Sequence, residues 1–221
     1  MPFATPSWDL ALFRLANGTW RTPLLDVLMP AVSGMALWLL LAVVAGGFLW
    51  LRRRSGPQGA ALLPERPLWR RVAAVLLLVG LAAGVTDATC NVIKGQAGRL
   101  RPMQALAGVH MVDEGAWSVT PPDFVPTAVK GSSFVSSHAA NSMAVCLVIM
   151  LAVPLLRPWL LPVPLLVGWS RLYLGKHYPS DVLAGWLVGL VMGYLAWRVW
   201  CYCMHHVLHE NACARAGGGH G

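Results

Sequence analysis

The sequence predicts an all-α fold, a polytopic membrane helical bundle of about five transmembrane helices with an N-terminal interfacial amphipathic helix. Composition is the first observation, because 57% of the 221 residues are hydrophobic and only 12% are charged. Soluble domains usually carry about 25% charged residues. The second observation is a series of apolar runs near the length of about 20 residues that crosses a bilayer as a helix. We therefore expect one integral-membrane domain over residues 1–221.

The N-terminal segment, residues 1–26, is predicted to lie along the membrane surface. Its stretch SWDLALFRLANGTW repeats apolar residues at helical spacing and ends at Asn17 and Gly18, which favour a helix stop. The stretch is too short to cross a bilayer and too polar for the core, which favours an interfacial helix. Thr22 and Pro23 then suit the N-cap and the first residue of the next helix.

Five apolar segments are predicted to cross the membrane: 27–51, 72–93, 136–156, 159–175 and 182–203. Basic residues in short loops mark the cytoplasmic side of a membrane protein. The loop 52–71 carries six arginines and is therefore predicted to be cytoplasmic. With five spans, this orientation puts the N-terminus and the segments 94–135 and 175–180 at the outer face.

Two segments outside the predicted spans lack a periodic pattern. The outer loop 103–135 contains three prolines and is predicted to have no regular structure, a feature typical of functional or disordered loops. The tail 205–221 holds four histidines near Cys201 and Cys203, but their spacing matches no standard metal site. We expect a flexible tail rather than a metal centre.

Three polar clusters are predicted to meet at the outer face: KGQAGRLRP at 94–102, SSH at 136–138 and SRLYLGKHYPSD at 170–181. Ionisable residues within membrane segments are costly and are functional candidates by default. Each cation taken alone could be an interfacial anchor whose charged end reaches water. Because four predicted spans place polar groups at the outer face, we favour a binding site for a negatively charged ligand.

The residue types in these clusters suit a phosphate group. Lys94, Arg101 and Arg171 supply positive charge, and arginine matches phosphate oxygens in a two-pronged contact. Ser136 and the backbone N–H groups that follow it begin a predicted helix, where anions are favoured. The net charge of +8 could also suggest nucleic-acid binding. That would need a solvated basic face or a recognised motif, and the sequence has neither.

Two histidines could supply the chemistry at such a phosphate. His177 and Asp181 are four residues apart, so Asp181 could accept the proton of one ring nitrogen and leave the other nitrogen free to attack. His138 lies on another predicted span and could donate a proton to a leaving oxygen. An ordinary histidine pKa near 6.5 allows either task at neutral pH.

Several neighbouring residues admit two interpretations. Asp87, Asn91 and Lys94 share one helix face, so Asp87 and Asn91 could support Lys94 from behind. The alternative is that Asp87 pairs inside the bundle for packing alone, and we favour support because an unpaired buried charge is costly. Arg99 could contact substrate or lie in a solvated loop. Lys176 could bind substrate or face water.

The three clusters together resemble a known set of motifs. KGQAGRLRP fits Lys, six residues, Arg-Pro; VSSHAANS fits Pro-Ser-Gly-His, with Val135 at the Pro position and Ser137 at the Gly position; SRLYLGKHYPSD fits Ser-Arg, five residues, His, three residues, Asp. In order and spacing the chain resembles the phosphatidic acid phosphatase type 2 superfamily, in its integral-membrane bacterial branch. Ser137 retains a backbone N–H, so we expect the phosphate site to survive both departures.

The resemblance implies a metal-independent lipid phosphatase without a cofactor that works through a phosphohistidine. His177 would be the nucleophile, Asp181 its orienting partner and His138 the general acid. The residues implied to hold the phosphate are Lys94, Arg101, Ser136, Ser137 through its backbone amide, and Arg171.

The partners implied are the bilayer and a lipid phosphomonoester or diphosphate, and no nucleic acid. Candidate substrates are undecaprenyl diphosphate, phosphatidylglycerophosphate, phosphatidic acid and lipid A phosphate, met at the periplasmic face of a bacterial inner membrane. Two alternatives remain open: a lipid phosphotransferase with a second lipid as acceptor, and a non-catalytic membrane protein that binds anionic lipid. The sequence does not predict an oligomeric state.

Overall fold

Helices dominate the computed structural model, which describes residues 5–34, 68–113 and 115–217. Its elements in chain order are α1 Ser7–Arg14, a π-helical turn Leu15–Thr19, α2 Pro23–Ser33, α3 Leu68–Ala97, α4 Pro102–Ala105, β1 His110–Asp113, β2 Ala116–Val119, α5 Ser137–Ala152, a 3₁₀ turn Pro154–Leu156, α6 Arg157–Leu160, α7 Pro162–Tyr173 and α8 Pro179–Gly217. The predicted helical class is confirmed, and a two-stranded hairpin is added to it.

Helix α5 lies at the centre of the bundle and packs against α3, α7 and α8. Its inward residues form the main apolar core with the 3₁₀ turn that follows it, and Cys146 and Val148 are fully buried. A helix that is apolar around its whole circumference is expected in such a central position. The N-terminus of α5 is therefore surrounded by the ends of its neighbours.

Glycines at every fourth position bring α8 unusually close to α5. A Cβ atom added to Gly185 would lie 2.6 Å from the carbonyl oxygen of Ser136, and one added to Gly189 would overlap the backbone of α5. Gly193 continues the same line toward the other end of the contact. Small residues at this spacing let two membrane helices approach closely. The approach allows the Ser136 N–H to donate to the Asp181 carbonyl oxygen at 3.0 Å.

Two helical stretches, Val72–Ala105 and Pro179–Met204, are long and apolar enough to cross a membrane by length and composition. They include the predicted spans 72–93 and 182–203. Their outward faces carry exposed large apolar side chains, among them Leu76, Leu77, Leu81, Leu183, Leu187 and Leu190. Such a surface suits contact with lipid chains rather than water.

The predicted count of five spans is not confirmed. Helix α5 has 16 residues and α7 has 12, both shorter than a full crossing at 1.5 Å per residue. The predicted first span, 27–51, and the arginine-rich loop 52–71 fall largely on residues 35–67, outside the described part of the chain. At the other end, the backbone of α8 is helical through Gly217, where the sequence predicted a flexible tail.

The N-terminal segment packs into the protein more deeply than its sequence predicted. Thr22 is the N-cap of α2, as expected, because its hydroxyl accepts from the Leu25 N–H at 3.3 Å. The helical segment ends at Thr19, one residue beyond the predicted stop at Asn17 and Gly18, and its last turn is π-helical. Asp9 and Phe13 are fully buried, whereas Trp8 and Leu12 on the same helix are exposed. The buried polar side chains Asp9 and Asn17 have protein partners, and the position of the helix at a membrane surface stays a prediction.

The outer loop 103–135 contains regular structure, which corrects the sequence-based prediction. Strands β1 and β2 pair antiparallel, with His110 opposite Val119. The Asn17 side-chain oxygen accepts a hydrogen bond from the His110 N–H at 2.9 Å, and the Asn17 side-chain nitrogen donates one to the His110 carbonyl oxygen at 2.8 Å. Strands of four residues are too short to give a clear alternating pattern, which is why periodicity did not reveal them.

Candidate active site

The three polar clusters predicted from the sequence meet at the N-terminus of α5. Lys94, in the last turn of α3, donates to the Ser137 hydroxyl at 2.5 Å. The turn between α7 and α8 reaches the same place, because Asp181 accepts the Ser136 N–H through its carbonyl oxygen. Gly175 makes this turn possible with φ 68°, a conformation that favours glycine, and a Cβ there would lie 2.7 Å from the His110 carbonyl oxygen.

Four cations gather around this point. Electrostatic interactions connect Lys94 with Arg101 and Arg171, and connect Lys176 with the same two arginines. Lys176 is half-buried. Its pKa is lowered mainly by this burial and further by the charges of Arg171 and Arg101. The predicted phosphate-binding cations therefore come together, and Lys176 lies with them rather than apart in solvent.

Hydroxyl groups rather than carboxylates contact three of these cations. Lys94 meets Ser137, Arg101 donates to the Ser132 hydroxyl at 3.3 Å, and Arg171 donates to the Ser33 hydroxyl. Across the described residues, salt bridges involve Arg21, Arg99 and His177 but none of the four cations. Uncompensated positive charge in a partly buried place is costly without an anion. The arrangement is suited to an anionic ligand.

Unsatisfied buried polar atoms lie at the same point. The Ser136 hydroxyl and the Arg171 Nε have no hydrogen-bond partner among the described residues. Buried polar groups nearly always have a partner, so such atoms commonly mark a place where a ligand or water binds. Ser136 is the N-cap residue of α5, where backbone N–H groups also favour an anion.

His177 is buried, and a backbone carbonyl fixes the state of its ring. Its Nδ1 lies 2.8 Å from the Ser133 carbonyl oxygen. Because a carbonyl can only accept, Nδ1 must carry the proton and Nε2 must hold the free electron pair. The structure differs here from the sequence-based expectation. The nearest carboxylate oxygen, Asp181 Oδ2, is 3.8 Å from Nδ1, too far for a hydrogen bond.

Burial lowers the pKa of His177 to about 4, an effect that the Asp181 carboxylate opposes and that the charges of Arg171 and Arg101 reinforce. The imidazole is consequently neutral at pH 7. A neutral ring with a free Nε2 is the form in which histidine can act as a nucleophile.

Asp181 is fully buried at the start of α8 and is saturated with donors. Its Oδ2 accepts from the Ser133 hydroxyl at 2.6 Å and from the Tyr178 N–H at 2.8 Å. Its Oδ1 accepts from Arg99 at 2.5 Å. Ser133 therefore connects Asp181 to His177. Its hydroxyl donates to the Asp181 carboxylate, and its carbonyl oxygen accepts from the His177 ring.

Arg99 fits neither interpretation offered by the sequence. It is 2% exposed, so it does not lie in a solvated loop, and its guanidinium is engaged by Asp181 at 2.5 Å and by Asp9 at 2.6 Å. The guanidinium also lies 4.0 Å from the centre of the Tyr178 ring. Arg99 binds protein carboxylates rather than an external anion.

His138 lies in the first turn of α5 and is exposed. Electrostatic interactions connect it with Arg171, His177, Lys176 and Lys94. An exposed imidazole that interacts with these groups could give a proton to a leaving group bound there.

Asp87 and Asn91 pair with each other on α3. The Asn91 amide donates to Asp87 Oδ2 at 3.1 Å, whereas Lys94 contacts Ser137. Asp87 acts on Lys94 only through space. The contact expected between Asp87 and Lys94 is therefore not formed, because Lys94 points its ammonium toward the N-terminus of α5.

Two residues of this network were missed in the sequence. Ser133 precedes the SSH cluster and carried no signal beyond a serine-rich stretch, because its essential group is a backbone carbonyl. Asp9 did carry a signal, as an acidic residue on the apolar side of a short helix. In the described part of the chain, no group of three or more His, Cys, Asp or Glu side chains could hold a metal ion.

The sequence matches proteins of one family. The family model described as PAP2 superfamily matches residues 72–204. A lipid A 4'-phosphatase of Bacteroides thetaiotaomicron is 26% identical over 196 residues, 85% of this chain and 74% of that protein. A decaprenylphosphoryl-5-phosphoribose phosphatase of Mycobacterium tuberculosis is 33% identical over 156 residues, 71% of this chain and 67% of that protein.

Two solved structures share the fold. The crystal structure of Aquifex aeolicus LpxE superposes with a TM-score of 0.59 at 22% identity, over 90% of this chain and 99% of that one. A transmembrane PAP2-type phosphatidylglycerolphosphate phosphatase from Bacillus subtilis gives 0.50 at 24% identity, over 87% and 84%. Because the family model covers more than half of the chain and includes all three polar clusters, the chain belongs to the PAP2 superfamily of membrane lipid phosphatases.

Proposed function

We propose that this protein hydrolyses a phosphomonoester or diphosphate bond of a membrane lipid through a phosphohistidine on His177. The observation that carries the proposal is the hydrogen bond of 2.8 Å between His177 Nδ1 and the Ser133 carbonyl oxygen. It leaves Nε2 of the neutral ring with a free electron pair, and His177 interacts electrostatically with Arg171 and Arg101. The family relationship supports the reaction class.

The proposed reaction has two steps. His177 Nε2 attacks phosphorus, the bond from phosphorus to the leaving oxygen breaks, and His138 gives that oxygen a proton. Water then attacks the phosphohistidine, the nitrogen–phosphorus bond breaks, and His138 takes the proton from the water. The second step restores His177 and His138 to their starting states, and the proposed cycle includes no metal or cofactor. Metal independence remains a prediction.

The charge of the transferred group would be balanced by the cations that have no salt bridge in the described structure. Lys94, Arg101 and Arg171 are proposed to bind the phosphate oxygens, with Ser136 and the Ser137 N–H at the start of α5. Asp181 is proposed to orient His177 through Ser133. Preorganised positive charge of this kind stabilises a phosphoryl transition state more than the ground state.

A lipid substrate is supported by the surroundings of the site. The helices that deliver these residues are apolar on their outer faces, and the charged ends lie at one end of the bundle. We propose five spans, with the site at the periplasmic face of a bacterial inner membrane. Lipid A phosphate, undecaprenyl diphosphate, phosphatidylglycerophosphate and phosphatidic acid are the candidate substrates, and the names of relatives support the first three.

The test is phosphate release by the purified full chain from a panel of lipid phosphates in detergent. We expect release by the wild type with EDTA present, and a fall of roughly 10⁴-fold or more in His177→Ala, the range seen when catalytic nucleophiles are removed. Equal rates for the two proteins would refute the assignment of His177. Binding of anionic lipid without release would instead support the non-catalytic alternative. Transfer of phosphate to an added acceptor lipid would support the phosphotransferase.

A further inference from the structure

We propose that Arg99 and Asp9 are positioning residues for the reaction, and that the N-terminal helix α1 is in this way part of the catalytic apparatus. This inference rests on the proposed function of His177. Arg99 lies in KGQAGRLRP at one of the six positions that the motif leaves unspecified, and Asp9 lies outside all three clusters. Both act on His177 through Asp181 and Ser133 rather than by contact with substrate.

The Arg99 guanidinium joins two carboxylates from distant parts of the chain. Its Nη1 donates to Asp181 Oδ1 at 2.5 Å and to the Ser180 hydroxyl at 2.7 Å. Its Nη2 donates to Asp9 Oδ2 at 2.6 Å and to the Thr5 hydroxyl at 3.2 Å. A guanidinium has a planar fork of donors, so the positions of Asp9 and Asp181 fix its plane from both sides.

Asp9 also holds the first turn of α8. Its Oδ1 accepts the Ser180 N–H at 2.7 Å, and its Oδ2 accepts the Ser180 hydroxyl at 2.6 Å. Asp9 thus supplies, from another helix, the capping group that α8 needs at its N-terminus. Because Asp181 directly follows Ser180, these bonds also restrain the position of the Asp181 backbone and carboxylate.

Arg99 reaches the nucleophile by two connected routes. Through its side chain it holds Asp181, whose Oδ2 accepts the Ser133 hydroxyl at 2.6 Å. Through its backbone carbonyl it accepts the Ser133 N–H at 2.9 Å. The Ser133 carbonyl then accepts His177 Nδ1. Ser133 is consequently held at its N–H and at its hydroxyl, and both restraints come from Arg99 or from its partner.

A purely structural ion-pair network is the competing explanation. Buried ion pairs often serve fold stability alone, and removing one partner destabilises a protein through the charge left behind. The two explanations differ in what a conservative change does. Lysine at position 99 keeps the charge but replaces a two-pronged fork by a point charge, which cannot hold two carboxylates in the same plane.

The experiment measures kcat and KM of the full chain in detergent for Arg99→Lys and Asp9→Asn. Arg21→Lys is the matched control, since Arg21 pairs with Asp26 at 2.6 Å and, among the described residues, forms no salt bridge with Asp9 or Asp181. We expect kcat to fall roughly 10- to 100-fold in Arg99→Lys, and less in Asp9→Asn, with KM within about twofold, because ring misplacement affects the chemical step. Arg21→Lys should retain the wild-type kcat.

Two further measurements separate positioning from folding. Arg99→Lys should cost nothing more in a chain that already carries Asp181→Asn, because both changes break one chain of contacts. The ¹⁵N spectrum of labelled histidine should lose the hydrogen-bonded Nδ1–H signal of His177 in Arg99→Lys and keep it in Arg21→Lys. This spectrum tests the inference even in a protein that releases no phosphate.

Three outcomes would overturn the inference. They are an unchanged kcat in both variants, additive losses in the double variant, and an unchanged His177 spectrum in folded Arg99→Lys. A wild type that releases no phosphate while its His177 signal still depends on Arg99 would instead refute the proposed function and leave the positioning intact.

Discussion

The imidazole of His177 is held by a backbone carbonyl, that of Ser133, at 2.8 Å from Nδ1. A carbonyl has no titratable proton and can only accept, so it specifies the same tautomer wherever the ring is neutral. A carboxylate in its place would also attract a second proton onto the ring. The Asp181 carboxylate is set one step behind, where it fixes Ser133 instead of competing for the ring proton.

Ser133→Ala tests this chain of contacts, because alanine keeps the carbonyl and removes the hydroxyl that Asp181 accepts. Hydrogen bonds to charged groups are worth about 1.5–3 kcal/mol, and part of this loss should appear in the chemical step. We expect kcat to fall roughly tenfold with KM little changed. Kinetics on a soluble aryl phosphate and on a lipid phosphate would measure it.

Thr120→Val is the control for Ser133→Ala. The Thr120 hydroxyl is also buried, accepts the Val109 N–H at 2.8 Å and donates to the Leu106 carbonyl oxygen at 2.8 Å, so both of its partners are outer-loop backbone groups rather than Asp181. The Thr120→Val variant should have a lower melting temperature than the wild type and the same kcat. Equal losses of kcat in the two variants would mean that Ser133 acts on stability alone.

The pH profile should reveal the environment of His177. Burial lowers the pKa of this imidazole to about 4, so the ring stays neutral as the pH falls from 7 to 5. An ordinary histidine would be about 90% protonated at pH 5.5. The acid limb of kcat/KM, which reports the free enzyme, should therefore lie near pH 4. The profile should be measured on two substrates whose phosphate groups have different pKa values. An acid limb near pH 6.5 on both substrates would contradict the lowered pKa of His177.

His138→Asn tests the separation of roles between the two histidines. Without its general acid the enzyme should lose about 10²- to 10⁴-fold on a lipid alcohol leaving group, which needs a proton. An aryl phosphate with an acidic phenol should lose far less, because that leaving group departs without one. The ratio of kcat values for the two substrates measures the difference. A uniform loss on both substrates would place His138 in binding rather than in proton transfer.

The sequence predicted the contents of the site better than its supports. Lys94, Arg101 and Arg171 were identifiable because charge is conspicuous within and just beyond apolar segments. Ser133 was not, because its working group is a carbonyl that every residue carries. Arg99 was misread because the side chain alone does not say whether its anion is a ligand or a carboxylate brought from 90 positions away. Contacts of that range depend on the tertiary fold, which local pattern does not encode.

Lys176→Met tests whether the fourth cation takes part in binding. Its ammonium is half-buried beside Arg101 and Arg171, and burial together with these two charges lowers its pKa. A bound anion should reduce the electrostatic repulsion between Lys176 and the two arginines. We expect KM for a lipid phosphate to rise roughly tenfold, the effect of about 1.4 kcal/mol, with a smaller change in kcat. Lys130→Met, at an exposed lysine, is the control, and an equal rise of KM there would point to general surface charge.

Gly189→Ala tests whether the close contact of α8 with α5 supports the site. The new methyl group would overlap the Ala140 carbonyl, so the two helices would have to separate. Overpacking of a tight contact typically costs about 1–3 kcal/mol. Gly80→Ala is the matched control, since a Cβ at Gly80 meets nothing within 4 Å on α3, and alanine there should stabilise the helix by about 1 kcal/mol. Thermal unfolding in detergent should therefore move in opposite directions for the two variants. Because the same contact brings Asp181 to Ser136, Gly189→Ala should also lower kcat below that of Gly80→Ala at a temperature where both are folded.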